Sequence, residues 1–310
     1  YTRSSDLTLE LDVKLQQVAE EALGDRRGAV VAIDPATGGV LAFVSKPGFD
    51  PNLFVTGISY ADYGALRDSL DQPLFNRVLR GQYPPGSTIK PIVALAGLDA
   101  GVVTRTSRVY DPGFYQLPNV SHKYRNWNRS GDGWVDMSYA IARSNDTYFY
   151  DLANKLGIDR MHDFMSQFGI GQRVSIDMYE EAAGLMPSSS WKRTKYRQPW
   201  YPGETLIAGI GQGYMLATPL QLAQATMVLA NRGLSFVPSV VHHVDDLPVG
   251  GVARTPLPMT EEDWEAVVAG MVDVVHSPRG TAALIARGMD YQMAGKTGTS
   301  QVIGIAQDAV

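Results

Sequence analysis

The sequence of 310 residues contains no cysteine. A thiol nucleophile, a disulfide framework and thiolate metal sites are excluded at once. Long apolar runs are also missing: none reaches the roughly 18 residues that a membrane-crossing helix needs. Basic residues are too few for a nucleic-acid partner. Lys and Arg number 27 against 32 Asp and Glu, for a net charge of -5, whereas nucleic-acid binding needs a basic face. Histidine is sparse, and His122, His162, His242, His243 and His276 show no H-E-x-x-H spacing. Zinc sites need three or four convergent ligands, so no metal and no cofactor are expected, and His242-His243 reads as a surface or strand pair. No G-x-S-x-G elbow supports a Ser-His-Asp triad. Residues 1–6 lack the apolar core of a signal peptide, and Tyr1 is no initiator Met, so the chain is expected to be a piece of something longer.

What remains is a globular composition, 45% hydrophobic, enough for a sizeable core. Helical spacing of Leu11, Leu15, Val18, Ala19 and Ala22 predicts a helix over 8–23 that stops at Gly24. Runs Val30 to Ile33 and Val40 to Val44 flank Asp34-Pro35-Ala36-Thr37-Gly38-Gly39, a hairpin pattern. Residues 51–80 read as mixed and loop-like. A helix is expected from Ser87 toward Gly101, a long irregular loop over 110–134, and a helix over 136–156. A second irregular stretch covers 183–203. Helices are expected over 218–232 and 260–276, and a strand over 291–303. A helix followed by a hairpin favours an α+β fold, an antiparallel sheet flanked by helices.

Three short motifs carry the chemistry: Ser87-Thr88-Ile89-Lys90, Ser144-Asn145-Asp146 and Lys296-Thr297-Gly298-Thr299. Pro85-Gly86 turns the chain just before Ser87. Residues three apart share a helix face, so Lys90 can reach the Ser87 hydroxyl. A serine needs a base to become a nucleophile. A lysine serves once burial or a nearby cation, here Lys296, lowers its pKa. The helix N-terminus offers N–H groups to a developing oxyanion. Ser144 can relay a proton. Thr297 and Thr299 share a strand face, and Gly298 leaves room for a substrate backbone. Each motif has a bland reading: Ser87 as an N-cap, the second motif as a polar patch at a helix break, and the threonines as strand formers. The order of all three decides for catalysis. Together they resemble the signature set of serine β-lactamases and penicillin-binding proteins, with Asp146 where many family members carry Asn.

The chain resembles the class B penicillin-binding proteins, and within them the elongation type. GQYPPGSTIKP at 81–91, GAVVAIDPATGGVLAFVS at 28–45, GIGQGYMLATPLQLAQA at 209–225, SNDTYFY at 144–150, AGKTGTSQV at 294–302 and YRNW at 124–127 carry the likeness. The resemblance implies a five-stranded antiparallel sheet with flanking helices and a helical subdomain, roughly 81–235, inserted in the α/β part of one transpeptidase domain. It implies acylation of Ser87 by a stem peptide ending in D-Ala-D-Ala, then transfer to an amine of a neighbouring peptide during cell elongation, with β-lactams as covalent inhibitors at Ser87. Ser87, Lys90, Ser144 and Lys296 are the expected catalytic residues. Asp146, Thr297, Gly298 and Thr299 are the expected substrate-binding residues, and an ionised Asp146 could instead pair with Lys90. A membrane anchor, a pedestal domain, a membrane-embedded glycosyltransferase partner with other elongation proteins, and a periplasmic location at the inner membrane are implied for the intact protein. Two further strands and a closing helix are expected beyond Lys296, where few residues follow. Two other readings stay open: a D,D-carboxypeptidase or β-lactamase, and a penicillin-sensing module that acylates and stops. No E-x-x-x-N run supplies the deacylating Glu of a class A β-lactamase.

Overall fold

The computed structural model describes residues 4–300. In chain order its strands are β1 (Leu7–Leu9), β2 (Gly28–Ile33), β3 (Val40–Lys46), β4 (Arg108–Asp111), β5 (Phe114–Gln116), β6 (Lys123–Arg125), β7 (Gly133–Asp136), β8 (Val241–Val244) and β9 (Leu247–Pro248). Its helices are α1 (Val13–Leu23), α2 (Tyr60–Arg67), α3 (Arg77–Arg80), α4 (Lys90–Asp99), α5 (Met137–Arg143), α6 (Asp146–Leu156), α7 (Ile158–Ser166), α8 (Ser189–Tyr196), α9 (Pro202–Ala208), α10 (Pro219–Ala230) and α11 (Glu261–His276). None of these helices is long and apolar enough to cross a membrane. The chain divides into two compact units. One holds residues 1–82, 172–184 and 217–256; the other holds 83–171, 185–216 and 257–310.

The first unit is built on the hairpin. β2 and β3 pair antiparallel with Val30 opposite Val44 and Ala32 opposite Ala42. Strand periodicity turns Val40, Ala42 and Val44 inward, where Ala42 and Val44 meet Ala19 of α1. Val31, Ile33 and Phe43 pack instead against Val78, Leu79 and Leu220, so helices cover both sides of the hairpin. α1 starts at Asp12, whose carboxylate accepts the N–H groups of Lys14 and Leu15, and stops at Gly24. The helix is shorter than the periodicity predicts. Leu7–Leu9 is a strand that pairs with β8, a long-range partner that local spacing cannot reveal. α10 is closed at its start by a capping box of Thr218 and Gln221. The hairpin, α1, α10 and the small antiparallel sheets give the α+β architecture. The largest sheet among the described residues has three strands, β1-β8-β9.

The second unit wraps helices around α4. Every residue of α4 from Lys90 to Gly97 is buried, as expected of a helix that is apolar on all sides. α5, α6, α7 and α11 pack on it. A fully buried Val, Leu or Ile contributes about 1.5–3 kcal/mol, and Ile92, Val93 and Leu95 all reach that limit. The stretch 110–134, expected to be irregular, carries two antiparallel ladders, β4 with β7 and β5 with β6. The stretch 183–203 contains α8 and the start of α9. The strand expected over 291–303 is absent from its described part, 291–300. Residues 301–303 lie outside the described residues.

Candidate active site

Pro85-Gly86 opens a tight 3-10 turn, Gly86–Ile89, that runs directly into α4. The Lys90 N–H donates to the Ser87 carbonyl across this turn, so the two residues stand one turn apart on the same side. Gly86 adopts φ +57, and its N–H donates to the Gly211 carbonyl at 2.8 Å. A Cβ on Gly86 would lie 2.5 Å from the Thr299 carbonyl oxygen, and one on Gly211 2.1 Å from the Gly86 carbonyl oxygen. The nucleophile turn is therefore held by two backbones that only glycine lets approach so closely.

The helix expected over 136–156 is broken at the second motif. α5 ends at Ser144, which takes the left-handed conformation, φ 57 and ψ 40, and Asn145 then caps α6. The break frees the Ser144 carbonyl from any helical ladder and turns it to Lys90. The Lys90 ammonium donates to the Ser144 carbonyl at 2.8 Å, to Ser144 Oγ at 3.3 Å and to Asp146 Oδ1 at 2.7 Å. A left-handed serine costs about 1–2 kcal/mol, and buried partners hold it in place. Asp111 is the hub: its buried carboxylate accepts from Asn145 Nδ2 at 2.6 Å, Thr147 Oγ1 at 2.6 Å, Asn126 Nδ2 at 2.7 Å and the Asp132 N–H at 3.0 Å. Asn126 Oδ1 in turn accepts the Asp146 N–H at 3.0 Å.

Lys90 has no exposed surface. Burial pushes its pKa down, and the Asp146 carboxylate pulls against that shift. Burial also lowers Lys296, to about 7, with repulsion from Lys90 adding to the effect and Asp146 opposing it. The two lysines therefore share one electrostatic environment, in which holding both charges is costly.

Ser87, Ser144, Asp146, Thr297, Gly298 and Thr299 line one open cavity of about 910 Å3. Lys296 stands beside it, its ammonium donating to the Thr297 carbonyl at 2.9 Å. Gly298 sits against the nucleophile turn, since a Cβ there would meet Thr88 Cγ2 at 2.6 Å and the Pro85 carbonyl oxygen at 3.2 Å. All eight residues picked from the motifs are thus brought to one place. Others join them without a motif. Thr281 shares a hydrogen bond of 2.6 Å with Thr297 between hydroxyls. Gln212 donates to the Thr299 carbonyl at 3.1 Å. Trp127 gives its backbone N–H to Asp146 Oδ2 at 3.3 Å, and Arg143 and Arg279 reach the rim. Trp127 and Gln212 lie inside strings that carried the resemblance; Thr281, Arg143 and Arg279 had no sequence signal. No glutamate is among the described residues lining this cavity. His242 and His243 lie on β8, in the other unit.

A buried lysine between a serine and a carboxylate, one turn after a second serine at a helix start, is an arrangement for activating a hydroxyl. Comparison with known proteins agrees with it. The model of the penicillin-binding protein transpeptidase domain matches residues 28–308. The peptidoglycan D,D-transpeptidase MrdA of Acinetobacter baumannii is 49% identical over 99% of this chain and 46% of its own length. The crystal structure of Pseudomonas aeruginosa PBP2 in complex with WCK 5153 is 62% identical, with a TM-score of 0.93 over 96% of this chain and 68% of that one. The complex between PBP2 and MreC from Helicobacter pylori gives 33% identity and a TM-score of 0.87, covering 96% of this chain and 55% of that one. The chain spans about half the length of the curated relatives it matches. It belongs to the penicillin-binding protein transpeptidase family, with penicillin-binding protein 2 among its similar members.

Proposed function

We propose that this chain is the catalytic domain of a peptidoglycan D,D-transpeptidase that crosslinks stem peptides during cell elongation and is acylated by β-lactams at Ser87. The observation that carries the reading is the fully buried Lys90, held between Ser144 and Asp146 one helical turn after Ser87. A neutral lysine amine has two N–H groups and one lone pair. With the N–H groups on the Ser144 carbonyl and Asp146, the lone pair is left for a hydroxyl proton. Ser87 Oγ loses its proton to Lys90 and attacks the carbonyl carbon of the penultimate D-Ala. The N–H groups of Ser87 and Thr299 hold the oxyanion. The peptide C–N bond breaks, and the departing D-Ala takes the proton through Ser144. An acceptor amine then attacks the ester carbon. Its proton returns to Ser87 Oγ as the C–O bond breaks, leaving a new amide and free serine. Thr297, Thr299 and Lys296 hold the donor carboxylate.

The whole protein would be anchored at the periplasmic face of the inner membrane and work beside a membrane-embedded glycosyltransferase and other elongation proteins. Support for the partners comes from relatives, among them the Helicobacter pylori PBP2 that forms a complex with MreC. A cavity lining without glutamate argues against rapid deacylation by a class A β-lactamase mechanism. The test is product analysis with a D-Ala-D-Ala peptide donor and a free-amine peptide. Amide-linked product that disappears in Ser87→Ala supports transpeptidation, and release of D-Ala with no linked product would move the reading to a carboxypeptidase.

A further inference from the structure

A second cavity, of about 630 Å3, opens beside the catalytic one, and Arg143 and Arg279 line both. Its remaining wall includes Arg108 at the start of β4 and Trp134 of β7. Three guanidinium groups therefore face one space. Two carboxylates also line it: Asp132 pairs with Arg143 at 3.5 Å, and Asp136 is engaged in a helix cap. Asp132 keeps only 4% of its side chain exposed and accepts from Asn128 at 2.8 Å and Asn145 at 3.0 Å. Asp136 caps α5 by accepting the Tyr139 N–H at 2.9 Å. Among the described residues no carboxylate lies within ion-pair distance of Arg108 or Arg279. Arg279 rests on the Tyr139 ring at 5.6 Å, and Arg143 on the Trp127 ring at 4.6 Å. Stacking fixes a guanidinium plane while leaving its edge free to donate. Arg143 Nε is buried without a hydrogen-bond partner.

Arg108 and Arg279, two planar cations without a carboxylate partner beside aromatic walls, make a carboxylate-binding arrangement. Their position says which substrate. The donor carboxylate is assigned above to the Thr297 side. Arg143 immediately precedes Ser144, through which the departing D-Ala takes its proton in the steps above, and an acceptor amine enters where that amine leaves. We infer that this cavity is an acceptor subsite, taking a peptide that carries a carboxylate several atoms beyond its nucleophilic amine. The inference rests on the acyl-transfer reading.

The test uses an acyl-D-Ala thioester donor with two acceptors, Gly-Glu-amide and Gly-Gln-amide, which differ by one carboxylate. Both compete with water for the same acyl-enzyme, so the ratio of aminolysis to hydrolysis reports the acceptor alone. The expected result is a ratio roughly tenfold higher for Gly-Glu-amide, the size of about one charge-assisted bond, shrinking as salt is raised. Arg108→Gln and Arg279→Gln should each remove most of that preference, and Arg108→Lys should restore part of it. Equal ratios for the two acceptors, or a preference that survives both Gln variants, would overturn the subsite alone. Failure to detect any acyl-enzyme by mass would overturn the acyl-transfer reading and the subsite with it.

Discussion

Lys90 Nζ lies 2.7 Å from Asp146 Oδ1, with Lys90 fully buried and Asp146 only 15% exposed. The contact sets how easily Lys90 becomes neutral. Burial lowers its pKa and Asp146 raises it, so the carboxylate keeps the base from being too weak. In Asp146→Asn the opposing pull is gone, and Lys90 falls further. The acidic limb of the acylation rate against pH should move to lower pH. Stability follows with a defined sign. A lysine with a lowered folded pKa binds fewer protons folded than unfolded, so stability rises with pH up to the unfolded value of about 10.4. Thermal melts should place the variant below wild type at neutral pH, with the gap closing above that value.

Lys296 supplies the complementary limb. With its pKa lowered to about 7, it is charged below that pH and loses its charge above it. Acylation by a carboxylate-bearing penicillin should therefore decline on the alkaline side as the positive field disappears. Lys296→Arg keeps the charge at all accessible pH values. Stopped-flow acylation rates should show a lower maximum in this variant but an alkaline limb shifted up. An unmoved limb would assign it to another group.

Thr297 Oγ1 is paired with Thr281 Oγ1 at 2.6 Å, which holds both hydroxyls at the cavity wall. Thr297→Val keeps the size of the side chain and removes the hydroxyl. A charge-assisted bond to the donor carboxylate is worth roughly 1.5–3 kcal/mol, so acylation should slow by about one to two orders of magnitude. Melting temperature should stay near wild type. Thr281→Val should slow acylation less, because it acts through Thr297.

Gly211→Ala tests the support beneath the nucleophile. The new Cβ would fall 2.1 Å from the Gly86 carbonyl oxygen, at φ +73. Gly213→Ala meets a similar φ, +74, but its nearest neighbour is Ile207 Cγ2 at 3.1 Å. Backbone strain of about 1–3 kcal/mol should lower the melting temperature of both. Only Gly211→Ala should also slow penicillin acylation sharply, because only there is the Ser87 turn displaced.

The hairpin was legible because alternation and turn residues sit side by side in the sequence, and α10 and α11 because their apolar periods are uninterrupted. β1 was not, since Leu7–Leu9 becomes a strand only through β8, more than two hundred residues away. The four ladder strands between 108 and 136 are three or four residues long, too short for alternation to register. At the site, Ser87, Lys90, Ser144 and Lys296 were readable because their order is specific. The left-handed break at Ser144 was hidden inside an otherwise helical pattern. Thr281, Arg279 and the Asp111 hub carry no local signal. Their meaning comes from which side chains they meet in space.

The most direct test is intact mass spectrometry after mixing the chain with benzylpenicillin, followed by peptide mapping. A serine activated by Lys90 and slow to deacylate should gain one stoichiometric adduct on the peptide carrying Ser87. Ser87→Ala should gain none while melting like the wild type. An adduct on another residue, or one that persists in Ser87→Ala, would contradict the assignment of Ser87 as the nucleophile.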